Sequence, residues 1–151
     1  MEKYLELSRL LTDSNDRADA YWAELRTRLE QLPERFTAFL GLDPDERINL
    51  GGGYNKRVSG QVVGTANSTV LYDLEVIIHD QHSNSTHFIV QLAFYLDNGI
   101  YRLKERNGEF KVDLSPLEDS TEFWDRACKR IFEQILRLTE ARAQPLVQVA
   151  R

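Results

Sequence analysis

Cysteine, proline and long apolar runs are all scarce in this chain, and each scarcity removes a class of explanation. The single cysteine, Cys128, cannot close an internal disulfide, which excludes a secreted disulfide scaffold and points to a reducing compartment. No stretch approaches the roughly 18 consecutive apolar residues that a membrane-spanning helix needs, so no membrane contact is expected. Met1-Glu2-Lys3-Tyr4 opens a charged amphipathic stretch with no apolar core of a secretory signal. A cytoplasmic protein is the expectation.

Positive charge is also in deficit. The net charge is −5, which argues against a general nucleic-acid binder, because phosphate contacts dominate that affinity. The deficit is uneven: residues 1–46 carry 11 acidic and 6 basic side chains, whereas residues 47–66 carry Arg47, Lys56 and Arg57 with no acid. Nucleic acid is therefore not expected as a partner except through 47–57.

Catalytic signatures are missing too. There is no Gly-x-Ser-x-Gly elbow, and no serine has an evident histidine partner. Cys128 falls on the amphipathic part of a helix, where cysteine usually acts as a small core hydrophobe. No catalytic residue is assigned, no cofactor is expected, and an enzyme is disfavoured.

What the chain does contain is strong periodicity, and 151 residues suffice for one domain. Tyr4, Leu7 and Leu11 recur at helical spacing, followed by the turn-forming Thr12-Asp13-Ser14-Asn15. Then Ala18, Trp22, Leu25, Leu29, Leu32, Phe36 and Phe39 alternate steps of four and three, a two-helix packing seam. Pro33 predicts a break with a new helix starting there, Gly41 a left-handed cap, and Pro44 a stop.

From residue 56 the period changes to two. Val70 to Ile78 and Phe88 to Leu96 alternate as strands, and Asn98-Gly99 and Asn107-Gly108 are hairpin signals. Two-residue loops there would set Leu96 opposite Tyr101, Phe94 opposite Leu103, Leu103 opposite Val112, and Arg102 opposite Asp113. Symmetric pairing about Gln81–Ser85 would set Ile77 against Ile89 and His79 against His87. A three-residue loop at Asn67-Ser68-Thr69 would turn Val58, Gly60, Val62, Gly64 and Ala66 to the core.

The chain then closes with a helix. Ser115-Pro116-Leu117-Glu118 reads as a capping box, Asp119 to Glu122 as a second start, and Pro145 as the end. The expected architecture is one α+β domain. A helical pair (1–41) precedes an antiparallel meander of about five strands (56–114), a C-terminal helix packed on the sheet (116–143) and a tail (144–151).

Four places could carry function. Leu71, Ile77, Ile89, Ala93 and Tyr95 make the outward sheet face more apolar than a solvated face should be, and Leu71, Ile77, Ile89 and Tyr95 are the candidate partner-binding residues. His79, His82 and His87, with Asp80 between them, could form a metal site at the hairpin tip, although the spacing matches no known metal motif. Gly51, Gly52, Gly53, Lys56 and Arg57 could hold an anion or RNA, but without a P-loop ending. Small residues at Gly60 and Gly64 also leave room for a ligand between sheet and helices.

The reading that gathers most of this is a non-enzymatic protein-interaction module, whether adaptor, assembly subunit or inhibitor of the immunity type. It would bind another protein or itself through the sheet face and amphipathic helices. The alternatives are a small-ligand or metal-binding domain, possibly a hydrolase, and an anion or RNA contact through Gly51–Arg57.

Overall fold

A computed structural model of the chain describes residues 1–45, 47–49, 54–108, 110–114 and 121–149. Helix α1 runs Glu2–Leu29 and α2 runs Leu32–Phe39. A small hairpin follows, β1 (Arg47–Asn49) with β2 (Tyr54–Lys56). Next comes a five-stranded antiparallel meander: β3 (Val58–Ala66), β4 (Thr69–His79), β5 (Ser85–Asp97), β6 (Ile100–Glu105) and β7 (Lys111–Leu114). Helix α3, Thr121–Val149, completes an α+β fold and packs on the sheet.

Thr12-Asp13-Ser14-Asn15 do not turn: α1 continues through them, and Thr12 Oγ1 donates to the Ser8 carbonyl at 3.0 Å. A cap needs non-helical backbone before it, and here the preceding residues are already helical. The expected break near Pro33 is present. α1 stops at Leu29, and Pro33 occupies the first turn of α2, where its missing N–H leaves no bond unmade. Gly41 takes φ +75° after α2, as its position predicts.

The two Asn-Gly hairpins hold the predicted register. Leu96 opposes Tyr101, Phe94 opposes Leu103, Leu103 opposes Val112, and Arg102 opposes Asp113. Asn98 and Gly99 both adopt positive φ, as a type I′ turn requires, while at the next corner Gly108 does so.

The two earlier hairpins differ from expectation. Between β3 and β4 the loop has two residues, not three: Ala66 pairs with Thr69, and Asn67 and Ser68 both have positive φ. A register shift between Val62 and Gly64 then makes Gly64 oppose Leu71 and Ala66 oppose Thr69. One extra residue in a strand reverses every face beyond it, so Gly64 and Ala66 point away from the core that Val58, Gly60 and Val62 face. Between β4 and β5 the register is offset by two residues from symmetry about Gln81–Ser85. His79 opposes Ser85, Ile77 opposes His87, and Glu75 opposes Ile89.

All the helices serve one sheet face. The buried core joins Leu25 and Leu29 of α1, Leu32 and Phe36 of α2, and Phe123, Trp124 and Ile131 of α3 to Leu74, Leu92, Phe94 and Leu103 of the sheet. Large apolar side chains of this kind each contribute about 1.5–3 kcal/mol when fully buried. Helices α1, α2 and α3 do not divide between the two faces. Cys128 lies in this core as the sequence suggests.

At the C-terminal end, Ser115-Pro116-Leu117-Glu118 lie outside the described residues, and α3 begins at Thr121. Pro145 does not end the helix, which continues to Val149 in place of the expected tail. Its ring removes the amide that would bond the carbonyl of Ala141, and Ala141 is exposed, so water can take that bond.

Candidate functional site

The seam of α1 divides into a covered part and an open part. Leu25 and Leu29 are fully buried, and Tyr21 and Trp22 pack against the core. Polar contacts reinforce this end: Tyr101 donates its hydroxyl hydrogen to Glu24, and the Arg28 guanidinium sits 4.3 Å above the Tyr101 ring centroid. Ahead of Tyr21, every residue from Met1 to Ala20 is exposed. Beyond the polar stretch Thr12 to Arg17, apolar side chains return at helical spacing, with Tyr4 71%, Leu7 66%, Leu10 58% and Leu11 62% exposed. Nineteen helical residues thus form an arm about 28 Å long whose greasy side chains are exposed.

The sheet face away from the helices is the second open surface. Leu71 and Tyr95 are half-buried on it and Ile89 is 51% exposed, whereas Ile77 and Ala93 are buried. Ile77 therefore leaves the predicted contact set. Its N–H donates to the Arg57 carbonyl at 2.8 Å, so the chain entering β3 runs directly alongside it. Polar contacts interrupt the apolar patch. Arg106 holds Asp73 at 2.5 Å, His87 Nδ1 lies 3.1 Å from Glu75, and Arg102 bridges Asp97 and Asp113.

The histidines do not converge. The register sets His79 against Ser85, with Nε2 3.1 Å from the Ser85 hydroxyl, and gives His87 to Glu75, while His82 is exposed on the loop. Asp80 is occupied differently. Its carboxylate accepts the backbone N–H groups of His82 (2.8 Å) and Asn84 (3.0 Å), and these bonds, Asn84 first, hold its pKa below the usual carboxylate value. Asp80 thus builds the loop. No group of three or more His, Cys, Asp or Glu among the described residues is placed to hold a metal ion.

Gly51, Gly52 and Gly53 lie outside the described residues. Lys56 and Arg57 line a recess of about 100 Å³ with Pro33, Thr37 and the acids Glu34, Asp43 and Asp45. Three carboxylates against two cations make a poor anion cradle. The room expected over Gly60 is filled: a Cβ there would lie 1.8 Å from the Tyr72 hydroxyl oxygen, because the Tyr72 ring crosses that glycine.

One surface escaped the sequence reading. Lys111 on β7 meets Arg126, Lys129 and Arg130 of α3 along a groove of about 400 Å³, with Asp113 and Glu133 as the acids. Both acids are engaged, Asp113 by Arg102 and Glu133 by Arg130. The spacing of Arg126, Lys129 and Arg130 on one helical face was the available signal, but Lys111 joins them only through the fold. In the core, Gln134 donates to Glu105 at 3.2 Å, a buried polar pair that the strand alternation concealed.

Comparison with protein-family models, with curated proteins and with solved structures finds no match to this chain. Among the described residues no helix is long and apolar enough to cross a membrane.

Proposed function

We propose that the protein is a non-enzymatic interaction module, an adaptor or assembly subunit, that docks on a protein chain through the exposed stripe of α1. The open sheet face around Leu71, Ile89 and Tyr95 is the secondary contact. The observation that carries this reading is that α1 bears apolar side chains at both ends, buried at Leu25 and Leu29 and bare at Leu11, Leu10, Leu7 and Tyr4. Monomeric proteins rarely leave such a patch uncovered.

Helix energetics support it. An unpacked helix of this length is marginal in water, and Thr12 to Asp16 are weak helix formers, so a covering partner supplies what propensity does not. A free, buried cysteine suits a reducing compartment, and we place the protein in the cytoplasm.

The test is the native size of the full chain in extract of its own cells. A complex well above 17.5 kDa that disappears in the Leu7→Asp, Leu11→Asp double variant is the expected result. If the wild type migrates as a lone monomer, the reading fails.

A further inference from the structure

We propose that the occupant of the α1 stripe is a second copy of this chain, seated antiparallel on it about a two-fold axis near Arg9. This rests on the interaction-module reading and names its partner.

The covered end of α1 fixes the direction. From Tyr21 onward the stripe faces the chain's own sheet. A parallel second helix on the same stripe would bring its own body into that same space. An antiparallel one avoids the collision. With Leu7 opposite the partner's Leu11, and Leu11 opposite the partner's Leu7, Met1 reaches the partner's Arg17. The two arms then overlap over 17 residues, about 25 Å.

The side chains suit this register. In heptad terms Tyr4, Leu11 and Ala18 occupy a, and Leu7 and Ser14 occupy d. Leu10 falls on the axis at one flank and meets the partner's Leu10, and Ser8 falls on the axis at the other. Glu2, Glu6, Asp13 and Asp16 all lie at outer positions, so no carboxylate is buried. The stripe is therefore complementary to itself, as a two-fold contact demands.

Area sets the strength. Tyr4, Leu7, Leu10 and Leu11 are each more than half exposed, which makes a patch on the order of the 300–600 Å² that is the largest a typical monomer shows. Two such patches make an interface at the low end of specific complexes, below about 1,200 Å² in total. Interfaces of this size belong to weak, reversible complexes.

One defect is built in. Lys3 comes near the partner's Arg17 on each side of the axis, two like-charge contacts that only this antiparallel register creates. Reversing one sign relieves both. Lys3→Glu should tighten the dimer by about threefold to tenfold, given the modest strength of exposed ion pairs.

The experiment uses purified full-length protein. Sedimentation equilibrium should show a reversible dimer, lost in Leu7→Asp, Leu11→Asp and strengthened in Lys3→Glu. With a short bismaleimide, Leu10→Cys should cross-link to itself and Glu6→Cys should not; native Cys128, 2% exposed, stays out of reach. A wild type that remains monomeric at several hundred micromolar overturns the proposal. So does self-cross-linking of Tyr4→Cys in place of Leu10→Cys, or a Lys3→Glu variant that weakens the dimer. A purified monomer whose complex persists in cell extract would sink the second copy while sparing the interaction-module reading.

Discussion

The Tyr21 hydroxyl donates to the Ser68 carbonyl at 2.6 Å and accepts the Leu96 N–H at 3.3 Å, pinning α1 to the β3–β4 turn and to the end of β5. This is where the arm leaves the body. Tyr21→Phe removes both bonds and keeps the ring. A loss of about 0.5–1.5 kcal/mol per bond is expected in urea unfolding, with faster amide exchange at Leu96. Unchanged exchange there would show the clamp to be idle.

Two leucines of one stripe should behave oppositely. Leu25 is 1% exposed and Leu7 is 66% exposed. Leu25→Ala should cost about 2–5 kcal/mol of stability. Leu7→Ala, measured at protein concentrations too low for association, should stay within about 0.5 kcal/mol of wild type. A comparable loss at both sites would mean that the arm folds back on the body.

Gly60 owes its identity to Tyr72, whose hydroxyl oxygen and nearest ring carbons come within 1.8–2.7 Å of where a Cβ would stand. Gly60→Ala must displace a buried ring, and a loss of about 1–3 kcal/mol is expected from overpacking. Adding Tyr72→Leu should recover part of it. If the double variant is as unstable as the two losses added together, the steric account is wrong.

The sequence made much of this sheet legible. Alternation and the Asn-Gly corners were enough to set Phe94 against Leu103 and Arg102 against Asp113, because turn chemistry and face burial demand the same register. The β4–β5 pairing was not legible. Its five-residue loop is closed by the carboxylate of Asp80, and only geometry shows which amides that side chain reaches. Nor was the reversal at Gly64, since a bulge leaves no mark beyond a glycine inside a strand. The arm was half legible: its stripe was plain, but Thr12 to Asn15 looked like a turn because local propensity favours one. Ile77 was misjudged because alternation reports a face and not what lies across it.

Alkaline pH should weaken the fold. Burial pushes the Cys128 thiol up to about 12, and burial followed by the charge of Glu30 pushes the Tyr72 phenol to about 12. Both stay protonated in the native state at a pH where the unfolded chain, with ordinary values of about 8.5 and 10, has already lost its protons. Their contribution is complete below about pH 8.5 and drains away as pH rises towards 12. Urea midpoints taken between pH 7 and pH 10.5 should fall, and less steeply in Cys128→Ala. A flat profile would contradict the burial of both groups.

Because α1, α2 and α3 gather on one side, the sheet divides the molecule's obligations between its faces. Side chains on the helical side are answerable for cohesion. Those opposite are held mostly by contacts with their immediate neighbours in the weave, such as Asp73 with Arg106 and Glu75 with His87. Changes on that exterior can redraw what the molecule greets and leave intact what keeps it upright.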